Sequence, residues 1–297
     1  MEYKKDVCAI VITYNPDKDM ALGMNSLLKQ ADNIIIVDNG SEKGQVSFLK
    51  KICSENKIDL IENNTNVGIA KALNIGIKEA IARGYKWILT LDQDSVLTDG
   101  MIDKMFSSYE QINNKDEVMI IAPKNIEKEK FSTDIILDDK VIEVLTEITS
   151  GNLVKSEVFD KIGFFEEKLF IDLVDHEFCL RINKHGFKIV KVLNAVLLHS
   201  LGETKYNNFF GKKVSTSNHS ALRRYYMSRN RIYIWKNYSK DFPKWIKMDK
   251  KLFLSEILRI ILFEKKKTEK IRMIIRGLMD GKNKIYGKYC DKNKGRR

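Results

Sequence analysis

Asp92 and Asp94 stand one residue apart, directly after the apolar run at 87–91. If that run is a strand, both carboxylates leave its end together and can approach one hard divalent cation, Mg2+ or Mn2+. Such an ion would bridge them to a diphosphate and neutralise the charge of a leaving group. An Asp-x-Asp also occurs in ordinary loops and helix caps, so its place at a strand end is what favours chemistry. Asp38 ends a second run, at 33–37. As a turn residue it would hold Asn39-Gly40, and as a ligand contact it would accept a nucleobase ring N–H. Thr13, Tyr14 and Asn15 end the first run in the same way. A second acidic group, Asp172, Asp175 and Glu177, lies in FIDLVDHEFCLR. A carboxylate there can take the proton of an attacking hydroxyl, and a helix starting near 175 would present Asp175 from its first turn. Glu177 and Arg181 are four apart, which also makes them a helix-surface ion pair. His199 ends the run at 195–198. A lone histidine is commonly a hydrogen-bonded structural residue, but beside an Asp-x-Asp it is a candidate third metal ligand.

These residues need elements to hold them. Val7–Thr13 is a continuous apolar, β-branched run of strand length, and 33–37, 58–61 and 87–91 are three more. Helical spacing fills 20–30, 46–53 and Ile69–Ala82 between them. Buried strands alternating with helices predict an α/β fold whose mostly parallel sheet is flanked by helices. In such sheets ligands sit at the carboxyl ends of the strands, which places Thr13–Asn15, Asp38–Ser41 and Asp92–Asp94 in one cleft. Asn66 and Gly68 open the third helix, with Lys71 in its first turn. Asn66 can cap it, and helix N-termini favour phosphate. Later elements are predicted as helices at 101–111, 154–162 and 175–184, with strands at 118–122 and within 189–199. Gly151 and Asn152 precede the second of these helices and are acceptor-side candidates. Residues 202–220 read as a mobile loop that orders over a bound donor, and 221–297 as a basic helical extension. The expected division is a catalytic domain at 1–220, with halves at 1–100 and 101–220, followed by that extension.

Composition bounds the remaining possibilities. The chain has 297 residues with a hydrophobic fraction of 43%, enough for a packed core. Its four cysteines are far apart and form no CxxC, which removes a zinc-finger pattern. No apolar run approaches membrane-spanning length, and the N-terminus has no leader pattern, so a protein facing the cytoplasm is expected. The formal net charge of +12 is uneven, with 18 Lys+Arg against 7 Asp+Glu from residue 241 onward. A basic end suits an anionic surface, either a membrane leaflet or nucleic acid, or is simply a solvated tail. The apolar face at 252–263, followed by Lys265, Lys266 and Lys267, suits the inner face of a membrane, the catalytic domain or a second copy of the chain. No Gly-x-Gly-x-x-Gly turn follows the first strand and no phosphate-loop motif occurs, which excludes the commonest dinucleotide and phosphate-loop folds.

Taken together and in order, VITYNP, IVDNGS, NVGIAKALNIGI, LTLDQDS, TSGNLV, FIDLVDHEFCLRINKHGF and LLHSLGE resemble the bacterial family 2 glycosyltransferases. More narrowly, they resemble the rhamnosyltransferases of cell-surface polysaccharide synthesis. The resemblance covers about residues 7–235. It implies a GT-A fold, a divalent metal, and one inverting displacement from a nucleotide-diphosphate sugar, dTDP-rhamnose or alternatively a UDP-hexose. The acceptor would be a hydroxyl of a glycan or lipid-linked saccharide. By position, Thr13, Tyr14, Asn15 and Asp38 would line the nucleoside pocket, with Asn66, Gly68 and Lys71 as further donor contacts. Asp92 and Asp94 match the metal and ribose-diphosphate motif, and Asp175 matches the catalytic base. His199 matches a metal ligand of some relatives, and Gly151, Asn152, Asp172 and Glu177 fall on the acceptor side. Many relatives have Glu-Asp at the base where this chain has Val174-Asp175. A nucleotidyltransferase could share the Asp-x-Asp metal but would release pyrophosphate. A nucleic-acid binder would use the bases and aromatics of 223–235 as stacking surfaces, a reading that the ordered motifs outweigh.

Overall fold

The computed structural model describes residues 2–17, 20–131, 138–199, 205–209 and 212–291. By compactness the chain divides into Met1–Glu166 with Asp175–Ser200, and Glu167–Val174 with Leu201–Arg297. The division falls near residue 200 and not at 220, because 215–218 are tied to the C-terminal helices. Arg224 donates to the Ser217 hydroxyl, Lys270 to the Asn218 side chain and Arg259 to the Ser215 carbonyl.

In the first unit, Val7–Thr13 (β1), Asn33–Asp38 (β2), Asp59–Glu62 (β3) and Trp87–Asp92 (β4) are the four strands that the apolar runs predict. Every residue of β1 is buried. A strand covered on both faces loses the two-residue alternation and reads as one apolar run. The sheet continues with Val96–Leu97 (β5), Val118–Glu127 (β6), Val141–Glu143 (β7), Leu153–Lys155 (β8) and Lys188–His199 (β9). Its order is β3-β2-β1-β4-β8-β6-β9-β5, with β7 also on β9. The long ladders, β1 with β2 and β4 and β6 with β9, are parallel, whereas β8, β5 and β7 join by short antiparallel ladders. β8 occupies the start of the helix predicted at 154–162, which begins instead at Glu157. Three residues, Leu153, Val154 and Lys155, cannot be told from a helix start by pattern, and the edge offered by β4 decides.

Helices cover the sheet: Met20–Leu28 (α1), Lys43–Asn56 (α2), Ile69–Ala82 (α3), Met101–Glu110 (α4), Glu157–Ile162 (α5) and Val174–Lys184 (α6). α3 approaches so closely that a Cβ on Gly76 would lie 2.6 Å from Ile10 and 2.9 Å from Val37. That glycine is a packing residue that seats α3 on β1 and β2.

The second unit contains Lys205–Phe209 (β10) and Lys212–Thr216 (β11), paired antiparallel, then Ala221–Tyr238 (α7), Pro243–Phe263 (α8) and Lys267–Lys282 (α9). The hairpin replaces the loop expected over 202–220. A backbone ladder needs no apolar alternation to form, so composition did not reveal it. Residues 201–204 and 210–211 of that segment lie outside the described residues. α9 packs on α7 through glycines, where a Cβ on Gly277 would stand 2.4 Å from the Tyr225 carbonyl oxygen and one on Gly281 2.7 Å from that of Arg229.

Most of the basic and aromatic residues of 223–235 that suggested nucleic-acid stacking are inside this unit, although Arg223 is exposed. Tyr225, Tyr226, Arg224, Arg229 and Arg231 are all buried. Arg224 pairs with Glu256 and Glu264, and Arg231 with Asp249 and Glu256. Arg229 donates to the Gly287 and Leu169 carbonyls. Among the described residues, no helix is long and apolar enough to cross a membrane.

Gly277→Ala should destabilise the protein by about 1–3 kcal/mol despite alanine's better helix propensity, because a backbone carbonyl cannot yield to the new methyl. The midpoint of urea unfolding checks this, and an unchanged or raised midpoint would show that α7 and α9 can move apart freely.

Candidate active site

Register assembles the site. Thr13 pairs with Asp38 across β1 and β2, and Ile12 pairs with Asp92 across β1 and β4. The three polar strand ends expected in one cleft are therefore adjacent on the sheet. Asp38 is 1% exposed, and its carboxylate organises the loops above it. Oδ1 accepts the hydroxyls of Thr13, at 3.2 Å, and of Ser41, while Oδ2 accepts the amides of Gly40 and Ser41 at 3.2 and 2.9 Å. Four donors use all the acceptor positions of a carboxylate. Ser41 Oγ in turn accepts the Asn15 amide at 2.7 Å, and Asn15 Oδ1 accepts the Glu42 amide at the start of α2. Asn15 has φ +47°, the left-handed region that asparagine tolerates. Beside it the Tyr14 ring is half exposed, and the Tyr14 amide donates to Gln93 Oε1 at 2.8 Å. Gln93, the residue between the two aspartates, thus joins the β1 loop to the β4 loop, which residue type alone did not suggest.

The entrance to α3 differs from the expected cap. The N-cap is Gly68, at φ +90°, with no side-chain bond. Asn66 lies two residues earlier, where its Oδ1 accepts the Gly68 amide and the Asn39 Nδ2. Asn39 Oδ1 accepts the Val67 amide, so paired asparagines lock this loop to β2. Gly40 is required there because a Cβ would lie 2.4 Å from the Thr65 backbone. Lys71 is exposed in the first turn of α3.

Past β4, the Asp92 amide donates to Ser150 Oγ at 3.0 Å, the Ser95 amide to the Asp92 carbonyl, and the Ser95 and Ser150 hydroxyls meet at 2.7 Å. The turn that carries the two aspartates is therefore pinned from behind by Ser150. Asp92 is exposed, and Asp94 makes no hydrogen bond or ion pair among the described residues. β5 pairs Val96 with Leu198. That ladder ends one residue short of His199, which pairs instead with Glu127 on β6. Among the described residues no three His, Cys, Asp or Glu side chains gather as a metal cage, so Asp92, Asp94 and His199 do not form a closed site. Two hard oxygen donors at an open turn fit Mg2+ or Mn2+, which take one or two carboxylates and fill the remaining positions with phosphate and water.

Asp175 lies in the first turn of α6 and is partly buried. Its Oδ1 accepts the His176 amide and the His176 ring Nδ1, both at 2.8 Å. Burial alone would raise its pKa, but the charge and hydrogen bonds of His176 outweigh that, and the carboxyl lies below its ordinary value. Asp175 is thus an anion at neutral pH. His176 was missed as its partner; a ring immediately after the candidate base was the available signal. Asp175 also lines a small cavity with Thr90, Thr149, Asn152 and Cys179. Asn152 Nδ2 donates to the Ile148 carbonyl, whereas its buried Oδ1 has no hydrogen-bond partner.

Three acceptor-side expectations meet a different geometry. Glu177 is 1% exposed, and both its oxygens accept Arg181, at 3.1 and 2.8 Å. Arg181 also donates to the Ile162 and Phe164 carbonyls. This pair fixes α6 to α5, and a carboxylate so enclosed has no surface for an acceptor. Removing one partner of such a pair typically costs about 3–5 kcal/mol. Gly151 is buried, with φ +88°, and a Cβ there would strike Pro123 and Leu197 at 2.6 and 2.9 Å, a packing role. Asp172 belongs to the second unit, where its Oδ1 accepts Arg223 Nε at 3.0 Å. It lies in a stretch where Phe170, Asp172 and Leu173 all have φ near +60°. Such backbone is costly unless held. Asn230 Nδ2 holds it, donating to the carbonyls of Leu169, Ile171 and Asp172.

Residues 8–166 match the family model described as glycosyl transferase family 2. A dTDP-rhamnosyl transferase of Shigella flexneri, RfbF, is 30% identical over 95% of this chain and 97% of its own. The S. aureus TarS structure in complex with UDP-GlcNAc aligns with a TM-score of 0.57 at 15% identity, over 93% of this chain and 80% of that one. The structure of GalNAc-T7 with UDP, GalNAc and Mn2+ aligns with a TM-score of 0.58 at 13% identity, over 80% of this chain. This chain covers 49% of GalNAc-T7, about half its length. At these identities the structures speak for the fold, the GT-A arrangement of a curled mixed sheet between helices.

The His176 contact yields a test. A folded-state carboxyl held below its ordinary pKa stabilises the fold above its unfolded pKa, and this is lost as pH falls through the folded value. If Asp175 is the base of the transfer, the rate should also hold through the ordinary carboxylate range and fall only at lower pH, because the carboxylate keeps its charge there. In His176→Ala the acid limb of the rate profile should move to higher pH, and an unmoved limb would mean that His176 does not set the charge of Asp175.

Proposed function

The chain belongs to glycosyl transferase family 2 and is a glycosyltransferase; from that premise we propose that it transfers L-rhamnose from dTDP-rhamnose to a hydroxyl of a glycan or lipid-linked saccharide. The observation that carries the reading is the row of β1, β2 and β4 ends, which sets the Tyr14 loop, the Asp38 turn and the Asp92–Asp94 turn side by side. The donor choice is supported by the similarity to RfbF along almost the whole of both chains.

In this reading the nucleobase lies against the exposed Tyr14 ring. Its ring N–H reaches Asp38 by taking the place of the Ser41 hydroxyl, which can rotate away. Lys71 and the first turn of α3 face the phosphates. Asp92 and Asp94 are the residues that would hold a divalent ion, with His199 as a candidate third ligand, and such an ion would supply charge neutralisation for a diphosphate leaving group. Asp175 accepts the acceptor's proton on Oδ2, the oxygen that His176 does not use, as the acceptor oxygen bonds to the anomeric carbon. The bond from that carbon to the diphosphate oxygen breaks on the opposite face, which inverts the configuration. The proton then passes from Asp175 to solvent and the nucleoside diphosphate is released. Asn152 lines the same small cavity as Asp175, which supports it as an acceptor-side residue.

A panel of nucleotide-sugars, with and without Mn2+, tests the reading through its products. Turnover of dTDP-rhamnose to dTDP should exceed that of UDP-hexoses, and Asp175→Asn should cost ~10²–10⁴-fold in rate while donor binding persists. Preferred use of a UDP-hexose would replace the donor assignment. Release of pyrophosphate would remove the transferase reading altogether.

A further inference from the structure

Ordinary surface helices turn their apolar residues inward, and α8 does so only in part. Ile246, Phe253 and Ile260 are buried. Met248, Leu252, Leu254, Leu258, Ile261 and Leu262 are 48–62% exposed on the same helix. Ile275 and Met279 extend this surface onto α9, at 52% and 54%. A contiguous exposed apolar surface of this kind marks an interaction site.

The charges around it are sorted. All but one of the acidic residues of these helices and the turn between them face the protein: Asp249 binds Arg231 and Trp235, Glu256 binds Arg224 and Arg231, Glu264 binds Arg224 and Lys270, and Asp280 binds Tyr225 and Arg276, while Glu269 in the first turn of α9 is exposed. The lysines at 247, 250, 251 and 265–267 are exposed. The lysines of α8 and of the turn into α9 therefore lie outside, among the apolar side chains, with most of the nearby carboxylates turned to the core. Where α8 meets α9, a groove of about 490 Å3 has Ile261, Ile271 and Ile275 along it and Lys267 and Arg272 at its edge.

We propose that the α8–α9 face docks on an anionic lipid bilayer, with its leucines and isoleucines among the upper acyl chains, its lysines on the headgroups, and the groove taking one acyl chain. The exposed side chains are aliphatic, so they suit hydrocarbon, whereas stacking on nucleic acid needs aromatic rings. A second copy would bring like-charged lysine rims together, whereas phosphate headgroups match them. The helix lies in the interface and does not cross it, as its mixed polarity requires.

The test is co-sedimentation of the full chain with vesicles of phosphatidylglycerol and phosphatidylcholine, or of phosphatidylcholine alone. Binding should require the anionic lipid and fall at least ~10-fold between low and high salt. Leu258→Glu with Ile275→Glu should reduce binding at least ~10-fold. Both positions are on the surface, so the melting temperature and donor turnover in solution should match the wild type, separating lost docking from lost fold or lost catalysis. Equal sedimentation with neutral and anionic vesicles would overturn the proposal. So would undiminished binding of the double variant, or a wild-type dimer in light scattering that the variant disperses while vesicle binding stays the same.

Discussion

The central constraint is the position of β1 between β2 and β4 in one parallel ladder, with its last residues opposite Asp38 and Asp92. A one-residue slip in either pairing would turn every side chain of that strand to the other face. Because β1 is buried on both sides, such a slip does not exchange apolar for polar contacts. What fixes it is the packing around it, including the fit of Gly76 against Ile10 and Val37. From that register follow the neighbouring strand ends, the loops that rise from them, and the line of polar groups where a nucleotide can lie.

Around this line the protein divides its carboxylates between structure and chemistry. Asp38 and Glu177 are enclosed, and every oxygen is bonded. Asp94 lies in an open turn, while Asp175 is tied on one oxygen only. The first pair holds the loops and α6 in place, which leaves the second pair available for the metal and the proton of the proposed function. The same division runs through the serines and asparagines: Ser41, Asn39, Asn66 and Ser150 bind backbone amides or one another, and they fix where the exposed groups stand.

Much of the first unit was legible because its strands are continuous apolar runs and their ends carry distinctive polar residues. The ordered motifs identified the family before any geometry. Strands of two or three residues, β5, β7 and β8, left no periodicity to read, and the hairpin of β10 and β11 has no apolar alternation. Side-chain roles were least legible where one residue type serves two purposes. Glu177 could have faced an acceptor or Arg181, Gly151 a ligand or Pro123, and Arg229 a stacked nucleobase or the carbonyls of its own unit. Burial decides each of these, and burial belongs to the tertiary structure. Asn66 was read as a cap because asparagine commonly is one, whereas Gly68 takes that position and Asn66 braces the loop before it.

The claim on which the account rests is that the Asp92–Asp94 turn binds a diphosphate through a divalent ion. Calorimetric titration of the full chain with dTDP, in Mn2+ and in EDTA, measures it directly. The account predicts affinity at least ~10-fold higher with the metal, and loss of that increment in Asp94→Asn while the unfolding transition stays at its wild-type position. Equal affinity in EDTA, or a metal increment that survives Asp94→Asn, would contradict it.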